Sequence, residues 1–109
     1  MMADDRLALA YDLLWPVKSY LGITWNDSAT DDRILGFIRS SMIYLDGKLG
    51  AEADYLTPGT PRDLLFERVR YMRDSALDVF ENNYLSLILT MQNEKKVTDH
   101  VAQAEQTEE

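Results

Sequence analysis

Three features of the chain predict an all-α fold, a small bundle of three to four helices. Apolar residues recur at spacings of three and four over most of its length, the period of one helix face. Helix start and stop residues bracket these stretches. The whole chain has 109 residues, which allows one domain and leaves little for a second.

Residues 4–21 form the first predicted helix. Leu7, Tyr11, Leu14, Val17 and Leu21 lie at helical spacing and mark its core face. Asp4 and Asp5 sit in the first turn, where negative charge suits the helix dipole. Pro16 removes one backbone hydrogen bond and disfavours helix at Trp15, which predicts a kink or two short helices meeting there. Gly22 ends the segment.

The connection ITWNDSAT, residues 23–30, leads to a second helix. Thr30 is its predicted N-cap, followed by Asp31 and Asp32. Ile34, Ile38, Met42, Leu45 and Leu49 step by four, four, three and four, with Leu35 and Phe37 widening the stripe. Gly47 and Gly50 mark its end.

Residues 50–60 are a loop with a Pro58-Gly59 turn. Thr60 then caps a third helix, with Pro61 at its first position and Asp63 three residues after the cap. Leu65, Val69, Met72, Ala76 and Val79 form a coiled-coil-like seam. Asn82-Asn83 is a candidate break. The run from Tyr84 to Leu89, ending near Met91, is a continuation or a short fourth helix. Residues 1–91 are thus the predicted helical domain. Residues 92–109 contain no aromatic residue and carry a net charge of -3, too little apolar surface to order alone. They are expected to be a disordered tail, or an arm that orders against a partner.

Charge and composition exclude several functions. Lys and Arg number 11 against 19 Asp and Glu, a net charge of -8, which disfavours generic binding to phosphate backbones or anionic membranes. The chain has no cysteine, so thiolate catalysis, disulfides and Cys-based zinc sites are excluded. Neither a signal-peptide pattern at residues 1–16 nor an apolar run of membrane-spanning length is present, and a soluble protein made in a cytoplasm is expected.

The search for chemistry returns little. Asp4-Asp5 and Asp31-Asp32 are adjacent on helices and point apart, so they serve the helix dipole rather than a carboxylate dyad. The only histidine, His100, stands in the tail beside Asp99, with Glu105 five residues on, and reads as solvated. Ser40-Ser41 have no histidine near them in the predicted domain. GKLGAEAD lacks the spacing and lysine of a phosphate loop. No catalytic, metal or cofactor-binding residue is predicted.

The third helix carries Arg62, Arg68, Arg70 and Arg73 among Asp63, Glu67, Asp74, Asp78 and Glu81. The pairs Glu67–Arg70 and Arg70–Asp74 fall at three and four. This is either a solvated, salt-bridged face or a charged surface between subunits. Trp15, Trp25, Tyr55, Phe66, Tyr71, Phe80 and Tyr84 are many rings for so small a core, so some are expected at the surface as interface anchors.

Two stretches carry a family likeness. In VKSYLGITWNDSATDDRILGFIRSSMIYLDGKLG (residues 17–50) and PRDLLFERVRYMRDSALDVFENNYLSLILTM (residues 61–91), four elements follow in order. They are VKSYLGI, the helix start TDDRIL, the pair Arg70-Tyr71, and Phe80, Asn83 and Tyr84 as a late FENNY. Over about residues 13–91 the chain resembles the small head–tail connector (adaptor, DNA-packaging) proteins of tailed bacteriophages. The resemblance implies a helical, non-enzymatic subunit of a ring beneath the portal, following its twelve-fold symmetry. Such a ring extends the DNA exit channel and docks a stopper or tail-completion protein, with DNA passing unbound. It implies a place in the virion after synthesis in the host cytoplasm, with no membrane and no cofactor.

The family pattern carries no residue-level binding map, so the candidate contacts rest on residue chemistry. They are Trp15, Trp25, Tyr55, Arg62, Arg70, Tyr71, Arg73 and Tyr84 for subunit or partner interfaces, and Lys95, Lys96, Val97 and Val101 for an arm that contacts the portal. The competing reading is a regulatory helix-turn-helix nucleic-acid binder, suggested by the short connection at 22–30 and opposed by the net charge.

Overall fold

The computed structural model describes the backbone over residues 2–107 and side chains over residues 5–105. Among the described residues all regular structure is helical: α1 (Met2–Leu21), α2 (Ser28–Leu49), α3 (Thr60–Arg73) and α4 (Phe80–Thr107), with a 3-10 turn at Leu77–Val79 leading into α4. The side chains of Asp4, Glu108 and Glu109, counted above among the acidic groups, lie outside the described residues.

α1 does not break at Pro16; the helix is continuous through it. The carbonyl that proline leaves unbonded belongs to Asp12, an exposed residue, where water can satisfy it. Leu13 and Val17, on either side of the proline, are both fully buried and hold the helix in register. The predicted core face is also rotated. Ala10, Leu13 and Val17 face inward with Leu14 and Leu21 beside them, while Tyr11 is 58 % exposed and Leu7 also reaches the surface.

α2 starts earlier than predicted. Asp27, not Thr30, is the N-cap, and its carboxylate accepts from Thr30 N at 3.0 Å and Thr30 Oγ1 at 2.7 Å. The predicted stripe is correct: Ile34, Leu35, Ile38, Met42 and Leu45 are buried, with Phe37 and Leu49 packed at its edge. Gly47 lies inside the helix and Gly50 ends it, at φ 78°. There Gly50 N and Ala51 N both donate to Asp46 O.

α3 begins after Gly59, and the expected capping box at Thr60 is absent. Thr60 Oγ1 donates instead to Glu94 of α4 at 2.9 Å. Leu64, Leu65 and Val69 are buried. The predicted seam stops short of Val79, which is exposed, because α3 ends at Arg73. Ser75 adopts a left-handed conformation (φ 58°), and Ala76 N donates to Tyr71 O at 2.8 Å. The break therefore falls at Asp74–Ala76, and Asn82-Asn83 lie in the first turn of α4. α4 takes up both the predicted fourth helix and most of the predicted tail, running on to Thr107.

α2 and α3 form the central pair. α1 and α4 each pack against both, and they do not pack against each other. A helix pair offers two grooves, and α1 occupies one while α4 occupies the other. Phe80, Ile88 and Met91 of α4 complete the core with Ile23 from the first connection and Tyr55 from the loop after α2. Truncating one of the fully buried leucines, such as Leu45 or Leu64, is expected to cost about 2–5 kcal/mol.

Candidate functional site

Tyr55, predicted as a surface anchor, is wholly buried. Its hydroxyl donates to Asp46 Oδ1 at 2.6 Å, and the Arg6 guanidinium lies 5.5 Å from its ring. Burial raises its pKa first, and the Asp46 carboxylate raises it further. Arg6 also pairs with Asp46, and Ala53 N donates to the same carboxylate at 3.0 Å. Arg62 donates to the carbonyls of Tyr55 and Leu56 and stacks over Phe66 at 4.6 Å. Both residues thus hold the 50–59 loop against the body.

Arg70, Tyr71 and Tyr84 join an internal network centred on Glu67. Its carboxylate accepts from Tyr20 at 2.9 Å, from Tyr84 at 3.0 Å and from Arg70 Nε at 2.8 Å. Burial pushes the Glu67 carboxyl up, but these hydrogen bonds together outweigh it and hold the pKa below its ordinary value. The predicted Glu67–Arg70 pair is therefore present, and Arg70 uses Glu67 rather than Asp74. Tyr71 and Tyr84 meet edge to face at 5.5 Å, Phe80 stacks on Tyr84 at 5.1 Å, and Tyr44 closes the cluster against Phe80. Arg73 donates to Leu21 O at 3.2 Å, tying the end of α3 to the end of α1.

The buried cations differ in how they are paired. Lys18, 1 % exposed, pairs with Asp31 at 2.7 Å and donates to Asn26 at 3.3 Å. Arg68 has hydroxyls and a sulfur as its neighbours: it donates to Ser41 at 3.1 Å and Ser40 at 3.3 Å, and stacks over Tyr44 at 4.4 Å. Ser40-Ser41 thus solvate a buried guanidinium.

Two predicted anchors do reach the surface. Trp15 is 62 % exposed and Trp25 about half exposed. Trp15 continues a row on the outer face of α1 with Leu7 and Tyr11, four residues apart. Leu7 also lines a groove of about 430 Å³ with Met42 and Ile43 of α2. Trp25 stands beside Arg33 and Arg73 over a smaller hollow of about 200 Å³.

A second row runs along α4, and residue types alone pick out only half of it. Leu85, Leu89, Val97 and Val101 are all about half exposed and are spaced by four, with Asn93 in the gap. The helix buries Phe80, Ile88 and Met91 on its opposite side, so it is apolar on two faces. Of the predicted arm residues, Val97 and Val101 belong to this row, Lys96 borders it, and Lys95 turns away to pair with Asp99 at 2.7 Å. Tyr11, Leu85 and Leu89 were missed because each fits a core period as well as a surface one.

Among the described residues no three His, Asp or Glu side chains converge as a metal site, and no helix is long and apolar enough to cross a membrane. Comparison with protein families, with curated proteins and with solved structures found no match.

Proposed function

We propose that this chain is a structural subunit of a ring that joins the portal of a tailed bacteriophage to its tail or stopper. The ring extends the DNA exit channel, performs no catalysis and lets DNA pass without specific binding. The subunit is made in the host cytoplasm and resides in the virion at the head–tail junction, with twelve copies following the portal.

The observation that carries this reading is the pair of unpartnered apolar rows on α1 and α4, which occupy separate grooves of the central helix pair. A ring closes only if each subunit offers two different surfaces, one for each neighbour. The motif order over residues 13–91 adds the phage connector to this general requirement. The net charge of -8 fits a conduit that repels the duplex it encloses.

Electron microscopy of the purified chain, alone and mixed with its cognate portal, tests the reading. Rings on the portal are expected. A chain that does not bind the portal would overturn it, whether or not it assembles alone, and tight binding to duplex DNA at low salt would favour a nucleic-acid-binding regulator instead.

A further inference from the structure

We infer that the outer face of α4 in one copy docks on the outer face of α1 in the next. This deepens the ring reading and rests on its head-to-tail assembly.

The first ground is the distribution of charge. The chain has 19 carboxylates, yet the outward face of α4 from Asn82 to Ala104 carries none. With 3.6 residues per turn, that face comprises the row Leu85, Leu89, Asn93, Val97 and Val101, with Ser86, Thr90, Lys96 and His100 between them. Within this span Glu94 and Asp99 fall to the sides, while Glu81, four residues before Leu85, and Glu105, four after Val101, close the row at its two ends. A five-turn surface free of acid in so acidic a protein is built to meet something other than water, and Lys96 makes it locally basic.

The outer face of α1 is its complement. Leu7, Tyr11 and Trp15 supply apolar surface, with Ala8 leaving room beside them. Asp12, which is exposed, borders the row beside Tyr11 and Trp15. Asp12 lies on the opposite hand of its row from Lys96 on the α4 row. Two facing helices bring such sides together when they run in the same direction.

The registers then agree. With Asp12 opposite Lys96, Leu7 falls between Leu89 and Asn93, Tyr11 between Asn93 and Val97, and Trp15 between Val97 and Val101. Both rows are spaced by four, the ridges that interdigitate in the commonest mode of helix packing. Because α1 and α4 fill separate grooves, a copy that gives its α4 to one neighbour keeps its α1 free for another.

The test is sedimentation of the full-length chain from micromolar to millimolar concentration, with helicity checked by circular dichroism. One variant carries Leu89→Asp and Val97→Asp, the other Tyr11→Asp and Trp15→Asp; all four positions are exposed, so both are expected to fold. The wild type is expected to assemble, each variant alone to stay monomeric, and the two mixed to form a one-to-one dimer through their remaining intact faces. Assembly of the α1 variant on its own, or a monomeric mixture, overturns the proposal, because α4 would then pair with itself or with another surface.

A gentler pair keeps the idea testable if the quadruple set misfolds. Asp12→Lys or Lys96→Glu alone is expected to weaken assembly about tenfold, and both in one chain to restore it. Failure of that restoration overturns the pairing. A wild type that assembles in this way but ignores the portal upholds the pairing and sinks the connector reading. One that binds the portal but stays monomeric does the reverse.

Discussion

Tyr20 and Tyr84, on helices that do not pack against each other, donate to the two oxygens of one carboxylate, that of Glu67. Glu67 stands on α3, and through it α1 and α4 are held at a fixed relation across the central pair. In the proposed assembly this tie would keep the two contact helices at a constant mutual angle.

The first expected outcome follows from that carboxylate. Its pKa is depressed in the fold, so the stabilisation it brings is complete above the ordinary value of 4.5 and is lost as pH falls through the depressed one. Thermal unfolding followed against pH is expected to show this loss in the wild type. Glu67→Gln keeps one acceptor but no charge and is expected to cost about 2 kcal/mol at neutral pH. The variant's acid-side slope is expected to be shallower, and an unchanged slope would show that Glu67 does not govern it.

The tyrosines report from the alkaline side. Burial raises the Tyr84 hydroxyl first and its bond to Glu67 raises it further, to about 12; Tyr44 is raised to about 12 by burial and its bond to Glu81. A raised pKa means the fold holds the proton more tightly. Stability from these groups is intact below the unfolded value of 10.0 and fades as pH rises toward about 12. Tyrosinate absorbance is therefore expected to show a late phase that coincides with loss of helical circular dichroism. Late ionisation with the helices intact would contradict this coupling.

Lys18 and Asp31 make a third case. The ammonium is buried and the carboxylate is 27 % exposed, so the two partners are not equivalent. Asp31→Asn keeps a neutral acceptor but leaves the buried ammonium with no counter-charge, only the Asn26 side-chain amide and the Trp15 ring, and is expected to cost about 3 kcal/mol. Lys18→Met leaves a carboxylate that water can reach and is expected to cost less. Denaturant titration of the two variants checks the order, and equal losses would contradict it.

Much of the fold was legible because it is local. The α2 stripe from Ile34 to Leu45 was readable from spacing alone, and so was the Glu67–Arg70 pair, three residues apart. The α1 face was misread because that helix is apolar on both sides, and spacing cannot say which side meets the core. Tyr55 went to the core through Asp46 and Arg6, which lie 9 and 49 positions away and have no periodic relation to it. Thr30 has the residue type of a cap, as Asp27 does, and only the geometry of the turn gives the role to Asp27. Of the candidate contacts, Trp15, Trp25, Val97 and Val101 are exposed as residue type suggests. The rows that Trp15, Val97 and Val101 belong to required knowing which faces α2 and α3 cover.

Ser75 is the residue whose chemistry fits its conformation least. α1 and α2 end on Gly22 and Gly50 in left-handed geometry, while α3 ends with Ser75 at φ 58°. A Cβ there costs roughly 1 kcal/mol relative to glycine. Ser75→Gly is expected to raise the melting temperature by a few degrees without altering assembly. A lower melting temperature would show that the serine is held by more than its backbone.

The end of α4 separates stability from assembly. From Lys96 to Glu105 every described side chain is exposed, so this length of helix contributes almost nothing to the core. A helical extension of about a dozen residues without packing is marginal in water. Amide exchange over residues 96–107 is therefore expected to be fast in the monomer and slow in the assembled state, where the row meets a neighbour. A chain ending at Lys95 is expected to unfold within about 0.5 kcal/mol of the full-length protein. It is also expected to lose assembly, since Lys96, Val97 and Val101 go with the cut. A large loss of stability would mean that the end of α4 packs on its own body and is not free to reach another.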